Sequence, residues 1–481
     1  MEERRNKKGN ITLQEALGAY ERDHCARFHM PGHKGRGLAG FWRDELTGWD
    51  VTEISVTDNL HAPHGAILCA EREMAKAYGA RTSFYVVNGS TNAVQAMILA
   101  LSEGDKLLLS RDCHHSAVSG AALRGIETET ILPRFDEKTK LLGMVTPEDL
   151  ERELERTQAT AVLITSPNAY GFCADVTGLA AAAHRHGALL LVDGAHGAHF
   201  PFSEALPHGL GGVADLFAHS QHKTMDALTQ AASLHLGECR IREEQVRRAL
   251  AMTETTSPSY LLMASLDWSI YMAKRRDWTA QVMRIAALEP KIEAIEGLIV
   301  PKTPERCGVL ERDRTRLIID VTARGLSGYE AQAHLEQNGV FLEMADVRRL
   351  VLITTPNDEA DWYDRLLRAL ETLPLKKTAK SHVSAEPLRY GEPERRMTLR
   401  EAAFGALEQV PLEDAAGRVA SEPIGVYPPG IALVMPGEVI SKEATEGLIR
   451  ERLLGGALFG VRNGLVLVTQ NDRRMHAGTT A

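Results

Sequence analysis

The chain between residues 80 and 240 alternates short apolar runs with segments of helical periodicity. The apolar runs are mostly continuous, which is typical of strands buried on both faces of a parallel sheet. Between two of them, Val94, Met97, Ile98 and Leu101 recur at helical spacing, and Gly104 follows as a stop signal. This alternation predicts a doubly wound α/β domain with a ligand at the carboxyl ends of its strands. The predicted strands are 84–88, 106–110, 128–132, 161–166, 188–193, 216–220 and 231–236.

Beyond Tyr260 the pattern changes to longer helical stretches with isolated strands, which indicates a smaller α+β unit. A stretch with almost no periodicity then reads as a linker, and Thr398-x-x-Glu401 is a capping box that opens a final region. The predicted division is an N-terminal arm at 1–60, a large ligand-binding α/β domain at 61–270, a small α+β domain at 271–375, a linker at 376–396 and a C-terminal domain at 397–481.

Composition narrows the classes of protein that the chain can represent. Its 481 residues are 44% hydrophobic and 25% charged, which is typical of a globular protein. A net charge of −9 argues against a nucleic-acid binder, because phosphate neutralisation needs a basic face. The charged N-terminus does not resemble a signal peptide, and no run of about 20 apolar residues predicts a membrane span. Six scattered cysteines without a Cys-x-x-Cys pair predict reduced thiols and a cytoplasmic location.

Polar residues stand at the ends of three predicted strands. The first strand leads into Asn88-Gly-Ser-Thr91 at the predicted start of a helix. Free backbone N–H groups and the hydroxyls of Ser90 and Thr91 could bind an anion there. A plain N-cap is the simpler interpretation of this motif. The fifth ends at Asp193, a carboxylate that could bind a metal, orient a histidine or hold a protonated ring nitrogen. The sixth ends at Ser220 and leads to Lys223, which desolvation would convert into an amine nucleophile.

These three features together match the needs of one cofactor, pyridoxal 5′-phosphate (PLP). Its phosphate needs N–H and hydroxyl donors, its aldehyde needs a lysine, and its pyridine nitrogen needs an acid. Each feature alone is a weak signal, and their order along the chain strengthens the prediction.

Several histidines follow the same strands, and they raise the alternative of a zinc site. They are His114 and His115, the pair His196 and His199, and the pair His219 and His222. No full ligand set is evident around them, so we predict no metal. One imidazole, that of His114, is expected to stack on the flat cofactor ring.

The chain resembles the PLP-dependent Orn/Lys/Arg decarboxylases of fold type I, in their shorter bacterial form. The matching segments span nearly the whole sequence, and the Ser-x-His-Lys box with its spacing from Asp-x-Ala-His is the most specific. They are FHMPGHKG at 28–35, DVTE at 50–53, DNLH at 58–61, VNGST at 87–91, RDCHHS at 111–116, DGAH at 193–196, SQHK at 220–223, TTSPSY at 255–260, YPPGI at 427–431 and PGE at 436–438.

The resemblance implies an aspartate aminotransferase-like fold with a large PLP-binding domain and smaller C-terminal domains. It also implies roles for named residues. Lys223 would form the Schiff base, Asp193 would pair with the pyridine nitrogen, Ala195 and His114 would pack on the ring, and the phosphate would be held by Ser90, Thr91, Ser220 and His222. His196 completes the predicted cofactor contacts, and Lys223, His114 and Asp193 are the predicted catalytic residues. The Thr255–Tyr260 segment would approach the site of a neighbouring subunit in a homodimer or larger homo-oligomer.

The activity that the resemblance implies is decarboxylation of arginine, lysine or ornithine to carbon dioxide and an amine of polyamine biosynthesis. An aminotransferase or another Cα lyase of the same fold is the alternative, as is a non-catalytic paralogue. The chain departs from the usual family residues at Gly194, His115, Asn168 and Ala169. Which basic amino acid is used stays open, and the candidate acids for its side chain are Glu53, Asp58, Glu343, Asp346 and Glu438.

Overall fold

The computed structural model describes residues 17, 20–38, 42, 46–304, 306–376, 388, 394–427 and 430–470. Most of the predicted linker, the first residues of the predicted arm, the last residues of the predicted C-terminal domain and the two prolines of the YPPGI motif lie outside the described residues.

Strands and helices alternate through most of the described chain. The strands are β1 (Ala26–Phe28), β2 (Thr82–Val86), β3 (Lys106–Ser110), β4 (Glu127–Ile131), β5 (Phe135–Asp136), β6 (Leu141–Leu142), β7 (Ala161–Thr165), β8 (Phe172–Ala174), β9 (Leu189–Asp193), β10 (Leu216–His219), β11 (Ala232–Leu236), β12 (Val309–Arg312), β13 (Arg316–Asp320), β14 (Val340–Leu342), β15 (Met344–Ala345), β16 (Arg349–Ile353), β17 (Leu407–Pro411), β18 (Ile424–Tyr427), β19 (Ile431–Val434), β20 (Ala457–Phe459), β21 (Val461–Arg462) and β22 (Leu465–Thr469).

The helices vary from one turn to four or more. The α-helices are α1 (Ala66–Tyr78), α2 (Gly89–Leu99), α3 (His115–Arg124), α4 (Pro147–Thr157), α5 (Val176–Arg185), α6 (Gln221–Thr224), α7 (Glu243–Thr253), α8 (Tyr260–Ala273), α9 (Trp278–Glu293), α10 (Gly328–Gln337), α11 (Ala360–Glu371), α12 (Leu399–Phe404) and α13 (Lys442–Leu453), and the 3₁₀ helices are Phe200–Phe202, Thr322–Arg324 and Leu412–Asp414.

The seven strands predicted between residues 84 and 236 all form, and they make one sheet in the order β2-β11-β10-β9-β7-β3-β4. The sheet is parallel except for β11, which runs antiparallel to both β2 and β10. Neighbouring residues such as Leu190 and Leu191 point to opposite faces, and both are fully buried. Apolar clusters therefore cover both faces of the sheet, and the predicted doubly wound, mostly parallel α/β fold is confirmed.

Local signals read from the sequence also match the structure. Thr146 caps α4 by accepting a hydrogen bond from the backbone N–H of Asp149, with Pro147 in the first turn. The capping box that begins at Thr398 forms at the start of α12. These contacts satisfy backbone N–H groups that would otherwise lack partners, so they define where α4 and α12 begin.

A smaller sheet, β13-β16-β15, packs with α9, α10 and α11 around a separate apolar cluster. One strand from the predicted N-terminal arm joins this region, since β1 pairs in parallel with β14. The pairing carries the loop at residues 29–35 to the junction between the small unit and the seven-stranded sheet. The two sheets β17-β22-β21 and β19-β18-β20 build a further apolar cluster near the end of the chain.

Candidate active site

Lys223 stands just beyond the carboxyl end of β10, where the chain turns at Ser220 into the short helix α6. Its Nζ atom lies 3.1 Å from Nε2 of His196. Burial lowers the pKa of Lys223, and nearby Asp193 and Glu343 oppose that effect. The lysine is therefore biased toward the neutral amine, which is the nucleophilic form.

Asp193 is the last residue of β9, the strand beside β10, and it is buried. Its Oδ1 atom accepts a hydrogen bond from the backbone N–H of Ala195 at 3.1 Å. Burial raises the pKa of Asp193, although the charge of Lys223 opposes the rise. A buried carboxylate with so few donors needs a cationic partner, and a protonated ring nitrogen in the adjacent cavity would provide one.

The first turn of α2 presents free donors at the same edge of the sheet. Gly89 adopts a left-handed φ of 78°, and the preceding Asn88 makes no side-chain capping hydrogen bond. Ser220 donates from its hydroxyl to that of Ser90 at 2.6 Å, which brings the two predicted phosphate-binding serines together. Thr91 follows in the same turn and is exposed. An uncapped helix N-terminus flanked by hydroxyls can hold an anion.

Two more predicted histidines border this edge. His114 caps α3 by accepting a hydrogen bond from the backbone N–H of Ser116, and burial lowers its pKa to about 3. Nδ1 of His222 lies 3.0 Å from the carbonyl oxygen of Ala231, and burial lowers the pKa of His222 to about 4. Both rings are therefore neutral at physiological pH and able to pack against an uncharged or aromatic surface.

These side chains surround one cavity of about 400 Å³. All the predicted site residues line it except Ser220, which lies behind Ser90. The lining residues are Met30, Asn88, Gly89, Ser90, Thr91, Asp112, His114, Thr165, Asn168, Ala169, Asp193, Ala195, His196, His222, Lys223, Thr229, Gln230, Glu343, Met344, Tyr427 and Ile431.

Only one of the five candidate acids for a cationic substrate, Glu343, lines this cavity. Asp58 accepts backbone hydrogen bonds at the start of α1, and Glu438 forms a fully buried ion pair with Arg111 at 2.8 Å. Asp346 accepts a hydrogen bond from Tyr170, and Glu53 is exposed on a loop. Glu343 comes from the turn between β14 and β15, where it accepts a hydrogen bond from the backbone N–H of Met30 at 2.9 Å.

Other residues singled out in the sequence lie away from the cavity. His199 faces Asp313 at 3.3 Å, and His219 packs against His235, so one member of each of these histidine pairs serves a buried network. Among the residues that the structure describes, no group of three His, Cys, Asp or Glu side chains could hold a metal ion. The Thr255–Tyr260 segment contacts residues 58–61 of the same chain, through Tyr260 and the carbonyl oxygen of Thr255.

Three of the four departures from the usual family residues have local explanations. A side chain at Gly194 would meet Leu210, whose Cδ1 lies 2.6 Å from the ideal Cβ position, so Leu210 fills the space that a larger residue would need. Asn168 accepts hydrogen bonds from the backbone N–H groups of Tyr170 and Phe172 and thereby shapes its own turn. Ala169 lines the cavity with a small side chain and leaves it wider there.

Sequence reasoning missed Met30, Asp112 and Arg316. Burial raises the pKa of Asp112 to about 6, and Ser110 donates a hydrogen bond to it. Arg316 is fully buried and donates to Nδ1 of His196 at 3.1 Å. An arginine at the start of an apolar strand was the available signal for this contact, since buried arginines are rare unless paired.

The fold and the side chains together define an α/β enzyme site built on a desolvated lysine, a buried carboxylate and an anion cradle. Comparison with protein families gives matches to the "Orn/Lys/Arg decarboxylase, major domain" over residues 12–299 and to the "Orn/Lys/Arg decarboxylase, C-terminal domain" over residues 383–449. The chain belongs to the Orn/Lys/Arg decarboxylase family, and the predicted family is confirmed.

Two relatives illustrate the match. Arginine decarboxylase of Bacillus subtilis is 32% identical over 433 residues, which cover 87% of this chain and 88% of the relative. Arginine decarboxylase of Halalkalibacterium halodurans is 33% identical over 462 residues, which cover 92% of this chain and 94% of the relative. The similarity thus extends over nearly the whole length of both, and the predicted class of enzyme, an amino-acid decarboxylase, is confirmed.

Solved structures share the fold. The constitutive lysine decarboxylase of Escherichia coli superimposes with a TM-score of 0.72 at 20% identity, covering 95% of this chain and 81% of that one. A serine palmitoyltransferase structure with a PLP internal aldimine has a TM-score of 0.53 at 17% identity, covering 72% and 86%. The second match extends the likeness to other enzymes of fold type I, the predicted fold class.

Proposed function

We propose that this protein is a PLP-dependent decarboxylase that converts arginine, lysine or ornithine into carbon dioxide and an amine of the polyamine pathway. The observation that carries the proposal is the convergence of Lys223, Asp193 and the uncapped first turn of α2 on one cavity. Membership of the decarboxylase family supports the reaction, and the cavity supports the cofactor.

The residues present fit PLP. The uncapped start of α2 offers backbone N–H groups and two serine hydroxyls to a phosphate. Buried Asp193 forms no ion pair within 4 Å among the described residues, so a protonated ring nitrogen would suit it. Ser90, Thr91, Ser220 and His222 would hold the phosphate. The small side chain of Ala195 and the neutral ring of His114 would face the flat ring.

When bound, PLP supplies an electron sink for the bond that breaks at the substrate's Cα atom. The chain supplies orientation and proton control. Asp193 would keep the ring nitrogen protonated, because the ion pair offsets the cost of burying both charges. Lys223 would hold the aldehyde group of the cofactor, and its Nζ atom would be placed to carry a proton to the substrate's Cα atom. Nε2 of His196, 3.1 Å from Nζ, would hold the lysine amine in place by a hydrogen bond.

The cationic end of the substrate would meet Glu343. This carboxylate keeps one oxygen on the backbone N–H of Met30, which holds it in place and leaves the second oxygen for a guanidinium or ammonium group. Its charge also reaches Lys223 and Arg316, so it belongs to the electrostatic environment of the cavity.

The C-terminal region would help to exclude water. Tyr427 and Ile431 line the cavity, and Ile431 forms a backbone bridge with His114. Desolvation strengthens each charge interaction inside such a site. These two residues would therefore limit the access of water to the reacting Cα atom of the substrate.

The proposed assembly is a homodimer or larger homo-oligomer, with Thr255–Tyr260 near the partner's site, and the proposed location is the cytoplasm. Exposed apolar side chains at Ile54 and Val56, on the loop that precedes the residues contacted by this segment, support an interface there. The described cysteines are all free thiols, which fits a reducing compartment. No helix in the described chain is long and apolar enough to cross a membrane.

The deciding experiment supplies PLP and measures carbon dioxide, amine and keto acid from arginine, lysine and ornithine. We expect carbon dioxide and amine in equal amounts from at least one of the three. Keto acid would identify an aminotransferase, and no turnover of any substrate would favour a non-catalytic paralogue. Lys223→Ala should lose the visible absorbance of bound PLP and should not be fixed to it by borohydride, whereas exposed Lys138→Ala serves as the control and should retain both.

A further inference from the structure

Arg316 is a buried arginine whose guanidinium makes few hydrogen bonds within the described chain. Arg316 is the first residue of β13, and its side chain packs against Gly171. A Cβ atom added to Gly171 would lie 2.9 Å from Cβ and 2.8 Å from Cγ of Arg316. Its side chain is fully buried, and its Nε and Nη1 atoms have no hydrogen-bond partner among the described residues. The recorded hydrogen bond of this guanidinium runs from Nη2 to Nδ1 of His196.

That single contact fixes the protonation of His196. A guanidinium carries donors only, so Nδ1 of His196 must accept and cannot hold a proton. Burial together with the charges of Lys223 and Arg316 lowers the pKa of His196 well below its usual range, so the ring is neutral. A neutral imidazole that is bare at Nδ1 carries its proton on Nε2.

The proton on Nε2 then faces Lys223. Nε2 lies 3.1 Å from Nζ, and an ammonium group has no lone pair with which to accept a hydrogen bond. The contact is a hydrogen bond only when Lys223 is a neutral amine. The protonated lysine would instead bring two donors together at that distance, which is unfavourable.

We propose that Arg316 is a positioning residue that acts through His196: it holds the imidazole in the Nε2–H tautomer and thereby favours the neutral, nucleophilic amine of Lys223. The inference rests on the proposed role of Lys223 as the residue that binds the cofactor aldehyde. The other charged or titratable groups around the pair are Asp193, Glu343, His114 and His222.

The first test reads the amine without cofactor or substrate. The full-length chain, freed of bound carbonyl compounds, is treated with trace acetic anhydride across a pH range, and acetylation at Lys223 is quantified by mass spectrometry. Arg316→Gln should raise the midpoint of Lys223 reactivity by about one pH unit, which corresponds to about tenfold less labelling at a fixed pH below the midpoint. Arg312→Gln, a half-buried arginine on β12, is the matched control and should leave the midpoint unchanged.

A double-mutant cycle separates the tautomer from plain charge repulsion, because Arg316 also bears a charge near Lys223. In a His196→Phe background, Arg316→Gln should shift the midpoint by clearly less than in the natural chain. Equal shifts in the two backgrounds would show that Arg316 acts on Lys223 through its charge alone and would overturn the proposal.

A measurement on the unaltered protein keeps the proposal falsifiable even where a variant fails to fold. With ¹⁵N-labelled histidine, the two ring nitrogens of His196 are identified by their loss in His196→Phe, and long-range ¹H–¹⁵N spectra report which one is protonated. We expect a protonated Nε2 and a bare Nδ1. A proton on Nδ1, or on both nitrogens, contradicts the inference. Neither experiment depends on decarboxylation, so an error in the proposed reaction would not disturb their outcome.

Discussion

Replacement of Glu343 by glutamine tests how the cavity recognises a basic amino acid. The amide keeps the size of the side chain and an oxygen for the backbone N–H of Met30, and it replaces the other carboxylate oxygen by an uncharged NH₂ donor. A hydrogen bond to a charged group contributes about 1.5–3 kcal/mol. That range corresponds to about a 10- to 150-fold loss of affinity for the cationic substrate end.

The assay compares kcat/KM for the preferred basic amino acid with kcat/KM for norleucine, which lacks the distal charge. Because Glu343 also affects Lys223, a general effect on chemistry should alter both substrates alike, whereas loss of recognition should alter only the basic one. Glu53→Gln makes the same charge change on an exposed loop and should behave like the natural enzyme. An unchanged ratio of the two substrates in Glu343→Gln would refute the assignment.

Two further predictions concern stability. Arg111→Met should remove the 2.8 Å ion pair with the buried carboxylate of Glu438 and leave Arg395, at 3.9 Å, as its nearest cationic partner. The free energy of unfolding should fall by up to about 3–5 kcal/mol, read as a lower urea midpoint. Removing both charges with the added change Glu438→Gln should recover part of the loss, and an unchanged midpoint in Arg111→Met would contradict the prediction. Burial raises the pKa of Asp58, but hydrogen bonds from four backbone N–H groups outweigh it and lower the pKa to about 2. Because the folded pKa lies below the unfolded value of about 3.9, this contribution is present above pH ~4 and is lost as the pH falls toward 2. The Tm of Asp58→Asn should therefore be lower than that of the natural chain at pH 7, and the two Tm values should converge near pH 2.

The sheet could be predicted because its strands carry an uninterrupted apolar signal. A strand such as β9 is buried on both faces, so its residues are apolar up to the last one, Asp193, which lies at the edge of the sheet. The same logic located Lys223 and the turn at Ser90, since a polar residue directly after such a strand is brought to the ligand-binding edge. These residues followed from local sequence alone.

The remaining residues of the cavity depend on contacts between distant parts of the chain. Glu343 reaches it because β1 pairs with β14 and aligns two segments that are far apart in sequence. The sequence shows Arg316 only as the first residue of a strand, and its contact with His196 depends on how the small sheet packs. Periodicity reports which face of an element is buried, and it carries no information about which element lies opposite.

The bridge between His114 and Ile431 has a consequence for the synthesis of the protein. A ribosome releases β10 and the short helix α6 with Lys223 long before the segment that contains Tyr427 and Ile431. Until that last segment emerges, the wall of the cavity to which Tyr427 and Ile431 contribute is missing. A chain that ends before Tyr427 would therefore leave this side of the cavity, and the His114 ring that borders it, open to solvent.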